Sequence, residues 1–351
     1  MLRNSGFWFA QRQAPASTTV YDSSTDRLIS ADGWGISCAN TAVTYARTDT
    51  IAAPEVNLQS RYYGRFVKVT STGKMEITQG VEGTDTSNVR GRTVRVQIQM
   101  RGLVAASALW NVGLVQNIGA TVDPFTSANF FSSQNANGTD PTLTADYVYI
   151  APNGAFPADG GVIVGNKIQA AITNSPTWVR VGGCFDVPTT AKNLYVMIWS
   201  DSGVVAPTNG IALGQAFLVD STAIQPWAAL PIEEEFARVQ RYYSKSFNVD
   251  QLPTSALSAG RVLGSVSAAG ATANRMMLRY QVALLRTNST PTLFNPTNAG
   301  AQVTNTVTGD DATATTAVAT AANGCEITFT GQAAWVVGQP VAIQFTVDSE
   351  V

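Results

Sequence analysis

Carboxylates are the residues of this chain that could carry catalytic chemistry, because two of them can act as general acid and nucleophile in a glycosidase. None of the candidates lies in a recognisable motif, whereas catalysis needs titratable groups placed in pairs with shifted pKa values. The chain contains no histidine, which excludes Ser-His-Asp triads, Cys-His pairs and histidine-based zinc sites. We therefore predict that the protein is not an enzyme, and a two-carboxylate glycan hydrolase is the least favoured alternative. The candidate carboxylates are Asp26, Asp32, Glu76, Glu82, Asp85 and Asp186.

Metal and thiol chemistry has few candidates in the sequence. Asp220 ends the strand-like segment GQAFLVD, and a loop carboxylate at the end of a β-sandwich is a suitable ligand for a structural calcium ion. The GDD run at 309–311 could also suggest a metal, but its Thr- and Ala-rich surroundings are more typical of a plain loop. Cys38, Cys184 and Cys325 lie far apart without CxxC spacing, so we interpret them as reduced, buried thiols. No cofactor is predicted beyond this calcium ion.

An aromatic face is the candidate ligand platform. In NLYVMIWS, Tyr195, Met197 and Trp199 alternate with aliphatic residues, so they share one face of a predicted strand. If that face is open, its rings could stack on the apolar faces of sugars. If another strand or a neighbouring subunit covers it, the face is core or interface, which is the interpretation that we favour. The polar, turn-rich segment 125–145, longer than an ordinary hairpin loop, is an alternative glycan-binding element.

Strands joined by turns must position these residues. The composition is 45% hydrophobic and 13% charged with 29 glycines, which is typical of strands and turns rather than of a helical bundle. In VRGRTVRVQIQMRGLV, apolar residues from Val94 to Met100 alternate with polar ones, which predicts one buried and one solvated face. Upstream, RFVKV and KMEITQGVE are predicted to form a hairpin that turns at 71–73. The spacing of the later strand signals favours an all-β fold of the jelly-roll or β-sandwich type.

The length of 351 residues favours two packed units and a terminal segment. We predict an N-terminal attachment arm with the first strands over 1–60, a jelly-roll β-sandwich over 61–225, and a smaller β domain over 226–351. A short helix at about 232–245 is predicted in PIEEEFARVQRYYSKSF, whose three consecutive glutamates suit the start of a helix dipole. Its apolar residues recur at helical spacing. They are Ile232, Phe236, Val239 and Tyr243.

Charge and hydropathy exclude two classes of partner. The net charge of −2 leaves no basic footprint of the kind that nucleic-acid binding requires. No apolar run approaches the length of a membrane span, and MLRNSGFWFAQRQAP lacks the apolar core of a signal peptide. We therefore expect neither nucleic-acid binding nor membrane insertion, and synthesis in a cytoplasm.

Five segments of the sequence carry a resemblance to known proteins: NSGFWFAQRQAP, YDSSTDRLISADGWGI, PIEEEFARVQRYYSKSF, LRYQVALLRTNSTPTLFNP and FTVDSEV. They resemble segments of a group of bacteriophage tail-fibre and virion structural proteins. Those proteins begin with an Asn-Gly-x-Phe-x-x-x-Gln-Arg-Gly segment followed by Tyr-Thr-Ala-Asp-Arg-Trp, and they carry Glu-Leu-Ala-x-Cys-Gln-Arg-Tyr-Tyr later in the chain. The segments LRYQVALLRTNSTPTLFNP and FTVDSEV are similar to the last part of the same proteins. The cysteine of the later motif is Val239 here, and the glycine of the first is Gln13. The matching positions are Asn4, Phe7, Gln11, Arg12, Asp32, Trp34, Glu235, Phe236, Ala237, Gln240, Arg241, Tyr242 and Tyr243.

The resemblance implies a structural or receptor-binding component of the virion exterior. It could be a head fibre, a capsid decoration or a tail-fibre subunit, made in the host cytoplasm, homotrimeric, and in contact with other virion proteins. A lectin-like module that recognises host surface glycans is the alternative. Virion attachment or subunit interfaces are expected at the arm and at the paired tyrosines of the later motif. These residues are Phe7, Trp8, Phe9, Gln11, Arg12, Tyr242 and Tyr243.

Overall fold

The chain divides into two compact units. Unit 1 comprises Met1–Ala10 and Pro15–Ile232, and unit 2 comprises Gln11–Ala14 and Glu233–Val351. The computed structural model describes Leu2, Phe7 and residues 19–21, 28–29, 33–39, 42–49, 58, 60–69, 74–103, 108–121, 130–133, 139–155, 161–174, 177–200, 210–223, 228, 230–249, 251–280, 291–321 and 324–348.

Unit 1 is a β-sandwich whose described residues include one short helix, α1, at Gly83–Ser87. Its strands are β1 (Thr19–Tyr21), β2 (Leu28–Ile29), β3 (Trp34–Ala39), β4 (Val43–Asp49), β5 (Tyr62–Lys68), β6 (Lys74–Val81), β7 (Thr93–Gly102), β8 (Ala108–Asn117), β9 (Phe131–Ser133), β10 (Thr142–Leu143), β11 (Tyr147–Ile150), β12 (Pro152–Ala155), β13 (Val162–Val164), β14 (Lys167–Ile172), β15 (Val179–Asp186), β16 (Asn193–Ser200) and β17 (Gly210–Val219).

Two antiparallel sheets form the sandwich. The seven-stranded sheet has the order β1-β4-β5-β17-β7-β15-β12. The eight-stranded sheet has the order β13-β14-β8-β16-β6-β3-β2, and β11 also pairs with β8. Strands β9 and β10 pair separately from both sheets. Apolar side chains from the inner faces of both sheets form one core cluster, as expected for a sandwich.

For β7, the predicted burial of the apolar face is confirmed, but the predicted solvent exposure of the polar face is wrong. Val94, Val96 and Ile98 are fully buried in the core between the sheets. Arg95 and Gln97, predicted to be solvated, are buried as well. The outer face of the seven-stranded sheet is therefore covered at these positions, although period-2 alternation is commonly a sign of one solvated face.

The connection between β5 and β6 is not the predicted hairpin. Strand β5 pairs with β4 and β17 in the seven-stranded sheet, whereas β6 pairs with β3 and β16 in the eight-stranded sheet. The expected turn at 71–73 lies outside the described residues. The chain thus changes sheets between β5 and β6, because each strand completes a different inner face of the sandwich.

Phe7, expected from the sequence to lie at a virion attachment surface, has its side chain in the core of unit 1. Its side chain is fully buried and stacks on Trp34 with ring centroids 5.2 Å apart. The ring meets Phe66 edge-on at 6.2 Å. A Cβ added at Gly64 would approach the Phe7 ring to 2.6 Å, so only glycine leaves room for the ring there.

Unit 2 is a smaller β unit, and the part of it that the structure describes contains one helix. Its elements are α2 (Ile232–Gln240), β18 (Tyr243–Lys245), β19 (Val262–Ser265), β20 (Ala273–Arg279), β21 (Thr292–Phe294), β22 (Thr304–Asn305), β23 (Ala314–Ala321), β24 (Gly324–Thr330) and β25 (Pro340–Asp348). Strand β25 pairs with β18, β19, β21 and β22, and a three-stranded sheet has the order β20-β24-β23. The all-β class, with a sandwich followed by a smaller β unit that carries a short helix, is confirmed.

Helix α2 ends at Gln240, before the residue 245 expected from helical spacing. Residues of the paired-tyrosine segment instead form β18 and pair with β25, so tertiary pairing overrides the helical pattern. Ile232 is 48% exposed and does not share the buried side of the helix with Val239. On the exposed side of the helix, Glu234 and Arg238 form an ion pair of 2.9 Å at i, i+4 spacing, which stabilises the helix. Among the described residues, no helix is long and apolar enough to cross a membrane.

Candidate functional site

A row of polar side chains crosses the outer face of the eight-stranded sheet. The strand registers place Ser37 (β3), Glu76 (β6), Trp199 (β16), Asn111 (β8) and Gln169 (β14) next to one another in that order. Directly opposed residues on adjacent strands have neighbouring side chains. We call these five residues the polar row.

The predicted aromatic face is buried in this structure. Tyr195 is 1% exposed, and Met197 and Trp199 are 0% exposed. Aromatic residues outside the sandwich core cover them. The ring centroids of Phe130 and Tyr195 lie 5.1 Å apart, and those of Tyr149 and Trp199 lie 5.9 Å apart. The three residues therefore do not form an open platform, because another part of the same chain covers their face.

Residues 139–143, called the cover segment, are held to this face by three polar contacts. The Lys167 ammonium forms an ion pair with Asp140 at 2.6 Å. The Tyr149 hydroxyl donates to the carbonyl oxygen of Pro141 at 2.9 Å. The Lys74 ammonium donates to the carbonyl oxygen of Thr139. All three contacts join side chains of the sheet region to the cover segment, so the segment closes the polar row from solvent.

Glu76 is a fully buried carboxyl group in the polar row. No other described residue donates a hydrogen bond to either of its oxygens, and its own backbone N–H lies close enough to lower its pKa slightly. Burial raises its pKa to about 8, and the nearby Lys74 and Lys68 ammonium groups oppose that rise. The carboxyl is therefore protonated at neutral pH and can donate a hydrogen bond as well as accept one.

Two further groups of the polar row, one on each of the next two strands, lack hydrogen-bond partners among the described residues. These are the Trp199 indole Nε1–H and the Asn111 amide nitrogen, both buried within the described part of the chain. The Asn111 carbonyl oxygen does accept a hydrogen bond of 3.2 Å from Gln169. A Cβ added at Gly113 would lie 3.0 Å from the Trp199 ring, so that ring lies across the sheet over Gly113.

This arrangement can recognise a polyhydroxylated ring. It offers two donors, a carboxyl group and an aromatic surface within one row of side chains. Sugars present hydroxyl groups at their edges and C–H groups on their faces, which match these two kinds of surface. The same groups do not form a pair of ionised carboxylates, since Glu76 is the only carboxyl group in the row.

The calcium prediction at Asp220 is not supported by its surroundings. Asp220 accepts a hydrogen bond of 2.5 Å from Arg92, and this ion pair neutralises its charge. Among the described residues, no group of three or more His, Cys, Asp or Glu side chains could hold a metal ion. Asp311 of the GDD run accepts hydrogen bonds from Asn295, Asn298 and Thr304, which fits the interpretation as a structured loop.

The remaining sequence candidates have structural positions. Asp26 and Asp32 lie outside the described residues, and Asp186 accepts a hydrogen bond from Thr93 that lowers its pKa. Glu82 immediately precedes helix α1, and Asp85 lies in its first turn. Cys38, Cys184 and Cys325 are buried free thiols, as predicted.

The expected attachment residues are either buried or undescribed. Trp8, Phe9, Gln11 and Arg12 lie outside the described residues. Tyr242 and Tyr243 are buried in unit 2, whereas the sequence resemblance led us to expect them at a virion or subunit interface. Tyr243 pairs with Asp348 across β18 and β25, which gives it a structural position in that sheet.

Sequence reasoning identified Trp199 but missed Glu76 as its neighbour. Glu76 was one of six unassigned carboxylates, and the register that sets it beside Trp199 joins strands more than a hundred residues apart. The one available signal was the alternation in KMEITQGV, which places Lys74, Glu76 and Thr78 on a single strand face.

Comparisons with known proteins give only distant structural similarity. No family model matches the chain, and no curated protein matches it in sequence. A carbohydrate-binding module, TmCBM61, solved with β-1,4-galactotriose, is similar over 63% of this chain and 97% of its own, with 10% identity and a TM-score of 0.34. The family 11 carbohydrate-binding module of Clostridium thermocellum, solved with a mixed-linked tetrasaccharide, is similar over 57% and 95%, with 7% identity and a TM-score of 0.28.

A phage protein is also among the similar structures. Tailspike protein 4 of bacteriophage CBA120 is similar over 53% of this chain and only 19% of its own, with 14% identity and a TM-score of 0.30. All three TM-scores lie below 0.5, so no function is carried over from these structures.

Proposed function

We propose that this chain is a non-enzymatic protein of the bacteriophage virion exterior whose sandwich unit binds a glycan at the polar row. The observation that carries the binding role is the set of unpaired groups on Glu76, Trp199 and Asn111. Buried polar groups in proteins are nearly always paired, so three neighbouring exceptions mark a place where a ligand could supply the partners.

A sugar ring would satisfy these groups together. Its hydroxyl oxygens would accept hydrogen bonds from the Trp199 indole and the Asn111 amide, and a hydroxyl would donate to Glu76. The indole ring next to these groups would contact the C–H face of the sugar. Because Glu76 is neutral at pH 7, a neutral glycan suits the row better than a cationic one.

Binding requires that the cover segment leave the face. Its ties to the sheet include an ion pair with Lys167 and hydrogen bonds from Tyr149 and Lys74, and its residues 142–143 also pair with β9. Each hydrogen bond in a folded protein contributes about 1 kcal/mol net, so displacement would lower the apparent affinity without preventing binding. Weakening the ties should consequently strengthen glycan binding.

The test is calorimetric titration with a panel of neutral hexose and pentose oligosaccharides. Trp199→Phe keeps a buried ring but removes the indole N–H, and we expect it to weaken binding about tenfold. Lys167→Met breaks the tie to Asp140, and we expect it to tighten binding. Leu109→Gln, at an exposed position on the same strand as Asn111, is the control and should leave binding unchanged.

Two results would refute the glycan-binding proposal. One is that no oligosaccharide of the panel binds to either the parent protein or Lys167→Met. The other is that Trp199→Phe, folded as judged by an unchanged thermal midpoint, binds as tightly as the parent protein. Incubation of the bound oligosaccharides with the protein, followed by chromatography, tests the non-enzymatic part, since cleavage products would contradict it.

The virion part of the proposal rests on the sequence resemblance. The segments that resemble phage structural proteins include the Gln-Arg-Tyr-Tyr motif, whose tyrosines pack inside unit 2 and so suit a structural role. Light scattering of the 37.1 kDa chain tests the expected homotrimer, and a stable monomer at all concentrations would contradict it. Immunogold labelling of purified particles tests the location on the virion exterior, and labelling that appears only after particle disruption would contradict that location.

A further inference from the structure

Unit 2 contains a cleft whose lining includes no residue of the polar row. It has a volume of about 400 Å³ and lies between the end of α2, strand β18 and the segment that leads into β19. Ligand pockets for small molecules start at about 300 Å³, so the cleft can hold a sugar-sized ligand. Its lining includes Phe236, Phe247, Phe345, Lys245, Arg261 and Arg279.

The charge of the cleft is entirely positive. Arg261 and Arg279 are exposed, and neither guanidinium group forms a hydrogen bond or an ion pair within the described part of the chain. No Asp or Glu is among the lining residues. By contrast Arg275, on the same strand as Arg279, pairs with Glu326 at 3.4 Å. The two lining guanidinium groups therefore remain available for an anionic ligand.

The walls of the cleft are aromatic and held in place. The Phe247 ring meets Phe294 edge-on at 5.4 Å, and the Phe345 ring lies 5.7 Å from Tyr280. The backbone N–H of Ser246 donates to the carbonyl oxygen of Phe345 at 3.0 Å. Side chains fixed by such contacts need not be ordered when a ligand binds, which favours affinity.

Two contacts shape the rim of the cleft. The Lys245 ammonium donates to the carbonyl oxygens of Val249 and Gln251, at 2.7 Å each, and so holds the chain that follows β18. Gly260 has a φ of +79°, and a Cβ there would collide with the backbone of Ser246. The backbone approach at Gly260 thus requires glycine and brings Arg261 to the cleft.

We propose that this cleft binds a sugar residue that carries a carboxylate. Guanidinium groups pair with carboxylates through two parallel hydrogen bonds, and phenylalanine rings pack on the C–H face of a sugar. A free inorganic anion would use the arginines but not the aromatic walls. The cleft lies wholly in unit 2, so this site does not depend on glycan binding at the polar row.

The experiment titrates the full chain, observed by calorimetry, with digalacturonate, neutral digalactose and inorganic phosphate in separate runs. Arg261→Gln and Arg279→Gln each remove one exposed guanidinium and leave the described contacts of the fold intact. Arg275→Gln, on the strand of Arg279 but outside the cleft, is the matched control. Trp199→Phe is included because it alters the polar row and not this cleft.

We expect digalacturonate to bind, and each of the two cleft variants to weaken it about tenfold, as loss of a charge-assisted contact does. Binding should also weaken as salt is added, and Arg275→Gln and Trp199→Phe should match the parent protein. The proposal is overturned if digalacturonate does not bind or if both cleft variants retain full affinity. Equal affinity for phosphate or for neutral digalactose would likewise overturn it, since neither requires both arginines and aromatic walls.

Discussion

Replacement of Glu76 by glutamine should remove a large pH dependence from the stability of unit 1. The parent carboxyl has its pKa raised from 4.5 to about 8 by burial in the folded state. In the unfolded chain it titrates near its ordinary value. Between these two values the folded state keeps a proton that the unfolded state releases, so the free energy of unfolding falls as pH rises.

The magnitude follows from the size of the shift. Each pKa unit corresponds to about 1.4 kcal/mol, so the free energy of unfolding should fall by on the order of 4 kcal/mol between pH 5 and pH 8. Lys68 acts in the opposite direction at higher pH, because burial lowers its pKa from 10.5 to about 8. Above pH 8 the unfolded state binds the lysine proton and the folded state does not, so stability rises again. The parent protein should therefore show a stability minimum near pH 8.

The assay is urea denaturation at half-unit steps from pH 5 to pH 9, followed by tryptophan fluorescence. Of the 7 tryptophans only Trp335 falls in unit 2, so fluorescence reports mainly on unit 1. Glu76→Gln keeps the shape of the side chain but cannot ionise. We expect it to match the parent protein at pH 5 and to exceed it increasingly up to pH 8.

The control is Asp146→Asn, which removes an exposed carboxylate from the same unit. It should follow the parent curve across the whole range. Parallel curves for the parent protein and Glu76→Gln between pH 5 and pH 8 would refute the reasoning. Such a result would mean that Glu76 is either hydrated or ionised in the folded state.

Three further substitutions test the contacts described above. Lys167→Met should speed amide hydrogen exchange in residues 139–143, because it breaks the ion pair with Asp140. Gly260→Ala should lower the free energy of unfolding of unit 2 by about 2 kcal/mol or more, as denaturation will show, since the backbone there has a positive φ and no room for Cβ. Asn274→Ala should lower the melting temperature of unit 2 and cost about 3 kcal/mol, because the buried amide makes five hydrogen bonds to the loop before β20.

Each of these substitutions has a matched control. Lys192→Met removes a lysine that bonds to Gly119 rather than to the cover segment, and equal exchange rates in both lysine variants would contradict the first prediction. Gly338 has a φ of +86°, but there is open space where a Cβ would lie. Gly338→Ala should therefore lower the free energy of unfolding by about 1 kcal/mol through backbone strain alone. Asn298→Ala removes an exposed amide, and a melting temperature as low as that of Asn274→Ala would contradict the third.

The fold class could be predicted because alternation survives wherever a strand faces a core. Val94, Val96 and Ile98 were placed correctly from spacing alone. The same spacing could not show that Arg95 is buried, since period 2 indicates which residues share a face and not what lies over that face. The burial of Trp199 agrees with the favoured interpretation of its face as core or interface, but spacing alone could not show which part of the chain covers it.

The strand register and the change of sheet between β5 and β6 also could not be predicted from the sequence. The neighbourhood of Glu76 and Trp199 depends on pairing between strands far apart in the chain. The sheet change between β5 and β6 is invisible locally, because two successive strands with a short connection look like a hairpin. The early end of α2 arises because Tyr243 pairs with a strand that is made about a hundred residues later.

Strand β25 has a consequence for the synthesis of the protein on the ribosome. It pairs with β18, β19, β21 and β22. These four strands therefore cannot complete their pairing until residues 340–348 have left the exit tunnel. All residues of unit 1 have been synthesised once Ile232 is added to the chain. Unit 1 can therefore fold while unit 2 is still being translated. The strands that precede β25 have exposed edges during this interval, and a nascent chain stalled before residue 340 would be the form most prone to aggregate.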